Sequence, residues 1–293
     1  MPEIYPPEVI AKRTYPSIEE LTIATGVVRD AVNDMHKRGD VVSASSLGSL
    51  YDADKRPVIG SDIDWMIIFA DLQAMLGSEE FKKMMRELAQ KRVPFHNPVL
   101  SLDSIASNNF MIAPILHGMR RSTKRIVTGE DPVNLFEQHG IKKNDHEMIS
   151  RIFASYTRYF FEEVATTLHE VPDNKEVLVR LLEKALNFYR ETYRSMIVTS
   201  LDEDDYSKPL TFEVYQELFA DTIKADSMSS GTDVEIFLAD YNALLQALDA
   251  STDAEAERRE QYEQFLSDRA GVVQSSALFS QANIQHFRSA MRK

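Results

Sequence analysis

A chain of 293 residues with 43% hydrophobic content can bury a sizeable core, as one large domain or two modest ones, which excludes a wholly disordered polymer. It contains no cysteine, so disulfide frameworks and thiolate metal sites are excluded and a reducing compartment is implied. A formal net charge of -13 opposes non-specific binding to phosphate backbones and favours a neutral or cationic partner.

The opening "MPEIYPPEVIAKRTYP" has no basic segment followed by an apolar one, and no apolar run is long enough to cross a bilayer. A soluble, cytoplasmic protein with no membrane partner is expected. "SIEELTIATGVVRDAVNDMHKRG" then places apolar residues at helical spacing, with Ser17 as N-cap, Glu20 completing a capping box and Gly39 closing the helix. "DVVSASSLG" reads as a strand. "DIDWMIIFA" reads as a second strand, buried on both faces because its apolar residues run on without alternation. "SEEFKKMMRELAQK" is an amphipathic helix capped by Ser78. "PVLSLDSI" alternates as a third strand would, with Val99, Ser101 and Asp103 on one face. "FMIAPILHGMRR" is ambiguous, a helix entered or kinked at Pro114, and is followed by a short strand at "RIVTG" and a helix in "EDPVNLFEQHG".

Beyond about residue 140 the strand-like runs give way to long helical patterns, which divides the chain into 1–140 and 141–293. "NDHEMISRIFASYTRYFFEEVATTLHE" and "NKEVLVRLLEKALNFYRETYRSMIVTS" repeat apolar residues at steps of three and four, with Pro172 between them. After the polar "LDEDDYSKP", helices are expected in "TFEVYQELFADTIKA", "DVEIFLADYNALLQALDA" and "AEAERREQYEQFLSDRA", then a helical or frayed tail. The fold class is α+β: a small mixed sheet flanked by helices, followed by an all-α bundle.

Asp62 and Asp64 stand at the mouth of the second strand, where ionised carboxylates need a partner. Two residues apart on a strand, they leave the same face with attachment points roughly 7 Å apart. Such a pair can converge on one cation, or on two magnesium ions about 4 Å apart, the arrangement of phosphoryl-transfer sites. Gly48 and Ser49 end the preceding strand, where glycine lets backbone N–H groups approach a phosphate and serine adds a hydroxyl donor. A triphosphate held by Gly48 and Ser49 and bridged by metal to Asp62 and Asp64 would present its α-phosphorus to an attacking hydroxyl.

"LGS", a 12-residue gap and "DIDW" resemble the signature of the DNA polymerase β-like nucleotidyltransferase superfamily, over the N-terminal half at most. The resemblance implies a nucleotidyltransferase domain that moves a nucleoside monophosphate from an NTP, with ATP the expected nucleotide, to a hydroxyl. It further implies Mg2+, two ions, on Asp62 and Asp64. A helical second domain is similar to that of antibiotic-modifying and related minimal members. The family adds a third acid from a later strand, for which Asp103 is the candidate, with Glu130 and Asp131 as competitors better explained as first-turn residues of the next helix.

One stretch departs from the commoner pattern: "LYDADKRP" replaces a second glycine and a basic residue. Lys55 and Arg56 would offset Asp52 and Asp54 and touch the γ-phosphate. Arg120, Arg121, Lys124 and Arg125 could grip a triphosphate or a tRNA acceptor stem, although a solvated basic loop is the base-rate reading. His96 and His117 could serve as acid–base groups, but no spacing fixes either near Asp62; Trp65 and the aromatics of "YTRYFF" sit at core spacing. In antibiotic-modifying relatives a helical-domain carboxylate can act as general base, and Glu162 and Glu163 are the candidates here. The acidic chain favours a small cationic, aminoglycoside-like acceptor. Two alternatives stand beside it: a toxin-type nucleotidyltransferase acting on tRNA or protein, and a non-catalytic nucleotide-binding regulatory module.

Overall fold

A computed structural model describes residues 17–48, 51, 62–91, 93, 95–96, 99–106, 113–122, 124–142, 144–155, 157–158, 175–203, 205–267 and 271–291. Two compact units divide the chain, the first formed by 1–110 and 118–142 and the second by 111–117 and 143–293. The protein is a helix-rich α+β chain whose small sheet lies in the first unit.

Helix α1 (Ile18–Lys37) begins with the expected reciprocal cap: the Glu20 N–H donates to Ser17 Oγ at 3.2 Å, and the Ser17 N–H donates to Glu20 Oε2 at 2.7 Å. Its apolar stripe, Leu21, Ala24, Val28, Ala31, Val32 and Met35, is buried against the sheet. Strands β1 (Val41–Leu47) and β2 (Ile63–Phe69) pair antiparallel, from Val41 opposite Phe69 to Leu47 opposite Asp64. The fully buried run from Trp65 to Phe69 explains why β2 reads without alternation: both of its faces are covered. Helix α2 (Leu72–Gly77), capped by Asp71, and α3 (Glu79–Gln90), capped by Ser78, follow. α3 packs on α1 through Met84 and Leu88.

The next segment lies parallel to β2 in two pieces, β3 (Phe95–His96) and β4 (Val99–Ser101). His96 faces Asp64 and Val99 faces Ile67, a constant offset of 32 residues (96 less 64, 99 less 67), so both pieces lie along one edge of β2. β5 (Val127–Gly129) pairs antiparallel with the other edge of β1, Gly129 opposite Ser43. The sheet is therefore mixed, in the order β3/β4, β2, β1, β5.

The strand expected over 98–105 is corrected. It stops at Ser101, and α4 (Leu102–Ala106) begins at once, because Ser101 Oγ accepts the Ser104 N–H at 3.3 Å and turns the chain as a helix cap does. The segment around Pro114 is helix α5 (Ala113–Arg121), with proline in its first turn. α6 (Pro132–Gln138) is capped by Asp131, whose Oδ1 accepts the Val133 N–H at 2.9 Å.

In the second unit, residues 146–155 are helical, and four long or medium helices follow α7 (Lys175–Ser200): α8 (Phe212–Phe219), α9 (Ala225–Ala250), α10 (Glu255–Ser267) and α11 (Gly271–Ala290). α7 packs on α8, α10 and α11, and α9 on α11. An aromatic core of Tyr189, Tyr193, Phe212, Tyr215 and Phe279 joins α7, α8 and α11, with ring centroids 4.7 Å apart for Tyr189 and Phe279. α9 starts eight residues before the expected Asp233 and carries Gly231 inside the helix. A Cβ there would stand 2.7 Å from Phe212 and 2.9 Å from Phe279, so the glycine is what lets α9 approach these rings. Among the described residues no helix is long and apolar enough to cross a membrane.

Candidate functional site

The site begins where β1 ends. Gly48 follows Leu47, the register partner of Asp64, and adopts φ +73°, a conformation that favours glycine. A Cβ built on Gly48 would meet Asp64 Oδ2 and lie 2.8 Å from its Cγ and 2.9 Å from its Cβ. The glycine thus leaves the space in which the Asp64 carboxylate stands. Asp62 and Asp64 are half-buried while Ile63 and Trp65 are fully buried, an alternation that puts the two acids on one side of the strand mouth.

The chain turns after Gly48: the Tyr51 N–H donates to the Gly48 carbonyl at 3.1 Å, and Ser122 Oγ donates to the Tyr51 carbonyl. Burial pushes the Tyr51 phenol up, against the Thr25 hydroxyl and the Arg29 charge, which lower it. Ser49, Asp52, Asp54, Lys55 and Arg56 lie outside the described residues, as do Glu162 and Glu163 and most of "YTRYFF".

The candidate third acids are not brought to this end of the sheet. β4 runs parallel to β2 with Ser101 opposite Phe69, so Asp103 lies beyond the Phe69 end, in the first turn of α4, and is exposed. Asp64 to Phe69 is five strand steps, roughly 16 Å at 3.3 Å each, too far for a shared cation. Glu130 and Asp131 follow Gly129, which pairs with Ser43 towards the same far end of β1. Among the described residues, no group of three or more His, Asp or Glu side chains is gathered to hold a metal.

The basic segment is largely neutralised from within. Arg120 makes a fork to both Glu137 oxygens at 3.0 and 2.8 Å, and Arg125 forks to Asp131, its Nη1 at 2.8 Å from Oδ1. The Asp131 carboxyl is held below its ordinary range: burial opposes this, but the bonds from Arg125 and the Val133 N–H prevail. Lys124 is exposed. His117 is fully buried, bonds the Lys208 carbonyl through Nε2 at 2.8 Å and stacks on Tyr206, and Trp65 is wholly in the core.

What sequence reasoning missed is the neighbour of Asp64 across the parallel edge. That register position is His96. The sequence names the residue but not the strand beside which it lies. Neither protein-family models nor curated proteins match the chain.

Proposed function

We propose that this protein is a metal-dependent nucleotidyltransferase that moves a nucleoside monophosphate from an NTP, ATP being the expected one, to a hydroxyl of a small cationic acceptor. The observation that carries this reading is the contact of Gly48 with Asp64: a glycine turn at positive φ and a carboxylate pair at a strand mouth meet in one place. Two hard-oxygen ligands on a rigid strand fit a divalent cation such as Mg2+, and the glycine cradle supports that fit. A bound cation would supply charge neutralisation at the α-phosphate and the departing pyrophosphate.

Asp62 and Asp64 would hold that cation, and Gly48 and Ser49, with Lys55 and Arg56, would receive the triphosphate. The acceptor oxygen forms a bond to the α-phosphorus, the bond from that phosphorus to the bridging α–β oxygen breaks, pyrophosphate leaves with the electron pair, and the hydroxyl proton passes to solvent. The net charge of -13 supports a cationic acceptor by steering encounter. The tRNA alternative loses support, because Arg120 and Arg125 each fork to a carboxylate.

A second reading, a nucleotide-binding regulatory module without turnover, is favoured by one observation: Asp103, Glu130 and Asp131 all lie away from the Asp62 and Asp64 end. The test incubates the full chain with each labelled NTP and Mg2+ across pools of small molecules, tRNA and proteins, and measures pyrophosphate. Release that needs both Asp62 and Asp64, tested as Asp62→Asn with Asp64→Asn, is expected. Unchanged turnover in that double variant sinks the site. Turnover with tRNA alone sinks the small acceptor, and nucleotide binding with no release selects the regulatory reading.

A further inference from the structure

We infer that the outward face of α11 is a self-association surface, against which a second copy of this chain packs its own α11 antiparallel across a two-fold axis. The inference does not depend on nucleotidyl transfer. α7 and α9 pack on α11, which buries Ser276, Phe279, Ser280, Asn283, Ile284 and Phe287. Its other face carries Gly271, Gln274, Leu278, Gln281, Gln285 and Arg288, all exposed, at steps of three, four, three, four and three. That alternation is the spacing of a coiled-coil seam, a narrow stripe turned towards a partner helix.

Two features separate this stripe from an ordinary solvated face. The first is charge: the 17 residues from Gly271 to Phe287 (287 less 271, both ends counted) hold no Asp, Glu, Lys or Arg, where the chain's 27% charged share would place about four or five. Depletion of charge is the compositional mark of an interface centre. The second is reversed polarity. Leu278, in the middle of the stripe, is 51% exposed, while Ser276 and Ser280 are fully buried and, among the described residues, their hydroxyls have no hydrogen-bond partner. A face that was only the polar side of an amphipathic helix would show the opposite pattern.

Charge also chooses the occupant. An acidic or basic partner is recognised through opposite charges, and the stripe carries none before Arg288 at its end. Two copies that each carry a net charge of -13 repel over most of their surfaces, so an uncharged face is where they can meet. Primary amides both donate and accept, so Gln274, Gln281 and Gln285 are complementary to the same side chains of another copy. Ser275 and Ala282 beside the stripe are small enough to let two helices close on each other. Antiparallel packing keeps the two Arg288 side chains apart and brings Leu278 of each copy near the axis. With 20 residues α11 offers a seam about 30 Å long, so the dimer is a reversible one that forms as concentration rises.

The experiment is sedimentation velocity on the full chain from micromolar to hundreds of micromolar, at low and high salt. A monomer–dimer equilibrium is expected, and it should tighten with salt, because screening removes net repulsion and no ion pair is lost. Leu278→Lys should weaken the dimer at least about tenfold by setting like charges together, and so should Gln281→Lys, a second exposed position. Far-ultraviolet circular dichroism checks that each variant is folded. Mixing Leu278→Lys with Leu278→Glu should restore a dimer that neither forms alone. The chain has no cysteine, so Leu278→Cys should give a disulfide-linked dimer on mild oxidation, whereas Lys83→Cys, exposed on α3, should not. A monomer at every concentration overturns the inference. So does a dimer that is indifferent to both lysine variants, one that loosens as salt rises, or equal cross-linking at positions 278 and 83.

Discussion

Replacing Gly48 with alanine probes the contact on which the site depends. At φ +73° an L residue costs about 1–2 kcal/mol in backbone strain. The new Cβ also collides with the Asp64 side chain, 2.8 Å from Cγ and 2.9 Å from Cβ, so that side chain must turn away. A displacement of about 30° from its rotamer costs roughly 0.5–1.5 kcal/mol. Gly48→Ala should therefore lower the stability of the first unit by about 1.5–3.5 kcal/mol, the sum of the two ranges. Trp65, the single tryptophan, is fully buried beside Asp64 in that unit, so its fluorescence during urea unfolding reads this unit alone. In an Asp64→Ala background the carboxylate part of the collision is gone, while the Cβ contact at 2.9 Å and the backbone strain remain, so the alanine should cost less by the rotamer share, a coupling of about 0.5–1.5 kcal/mol. Pyrophosphate release at a temperature where Gly48→Ala is folded should fall, because Asp64 is displaced. Equal costs in both backgrounds, or a cost of Gly48→Ala near zero, would refute the claim that the turn is shaped around Asp64.

Gly129→Ala, also at φ +73°, should be worse than Gly48→Ala: its Cβ meets the Val42 carbonyl, which is backbone and cannot swing aside, and lies 2.9 Å from His36, and tryptophan-monitored unfolding compares the two. Arg125→Met leaves Asp131 without its fork in a site where the pair is 11% and 25% exposed, and should cost about 2–3 kcal/mol near neutrality, less than a fully buried pair. Because Asp131 sits below its ordinary 3.8 when folded, its contribution is present above that pH and lost as pH falls through the folded value, so the gap between wild type and Arg125→Met should close in acid. In the second unit, burial raises the Glu235 carboxyl and the Glu213 charge adds to this, against the hydrogen bond from Tyr189 and the charge of Arg190. A raised acid binds its proton more tightly when folded, so its contribution is complete below about pH 4.5 and is lost as pH rises through the folded value. Glu235→Gln should flatten that slope and leave the second unit more stable at pH 8, read by far-ultraviolet circular dichroism; an unchanged slope counts against the assignment.

The parts of this fold that were legible in the sequence are those written in local chemistry. The Ser17 and Glu20 box, the Ser78 cap and the unbroken apolar run of β2 each act within a few residues, and helix or strand follows without help from the rest of the chain. The misread stretch was also local: Leu100 and Leu102 alternate with Ser101 and Asp103 as a strand would, but Ser101 three residues before Ser104 is a capping signal, and it outweighs the alternation and ends the strand after three residues. The early start of α9 is different in kind, since Gly231 reads as a breaker until Phe212 and Phe279 are known to lie against it.

The candidate site divides along the same line. Gly48 and the Asp62 and Asp64 pair announce themselves by type and spacing, because a tight turn and a charged strand mouth are short-range facts. The fate of Asp103 is a matter of strand order and register, and no count of residues along the chain could have placed it. Only the parallel offset of 32 between β2 and the segment of β3 and β4 sends Asp103 to the end of the sheet opposite Asp64. That outcome rests on the pairing of Ile67 to Phe69 with Val99 to Ser101, which fixes the register from inside the core, so a reading of the acid pair by spacing alone could not have excluded Asp103 as its partner.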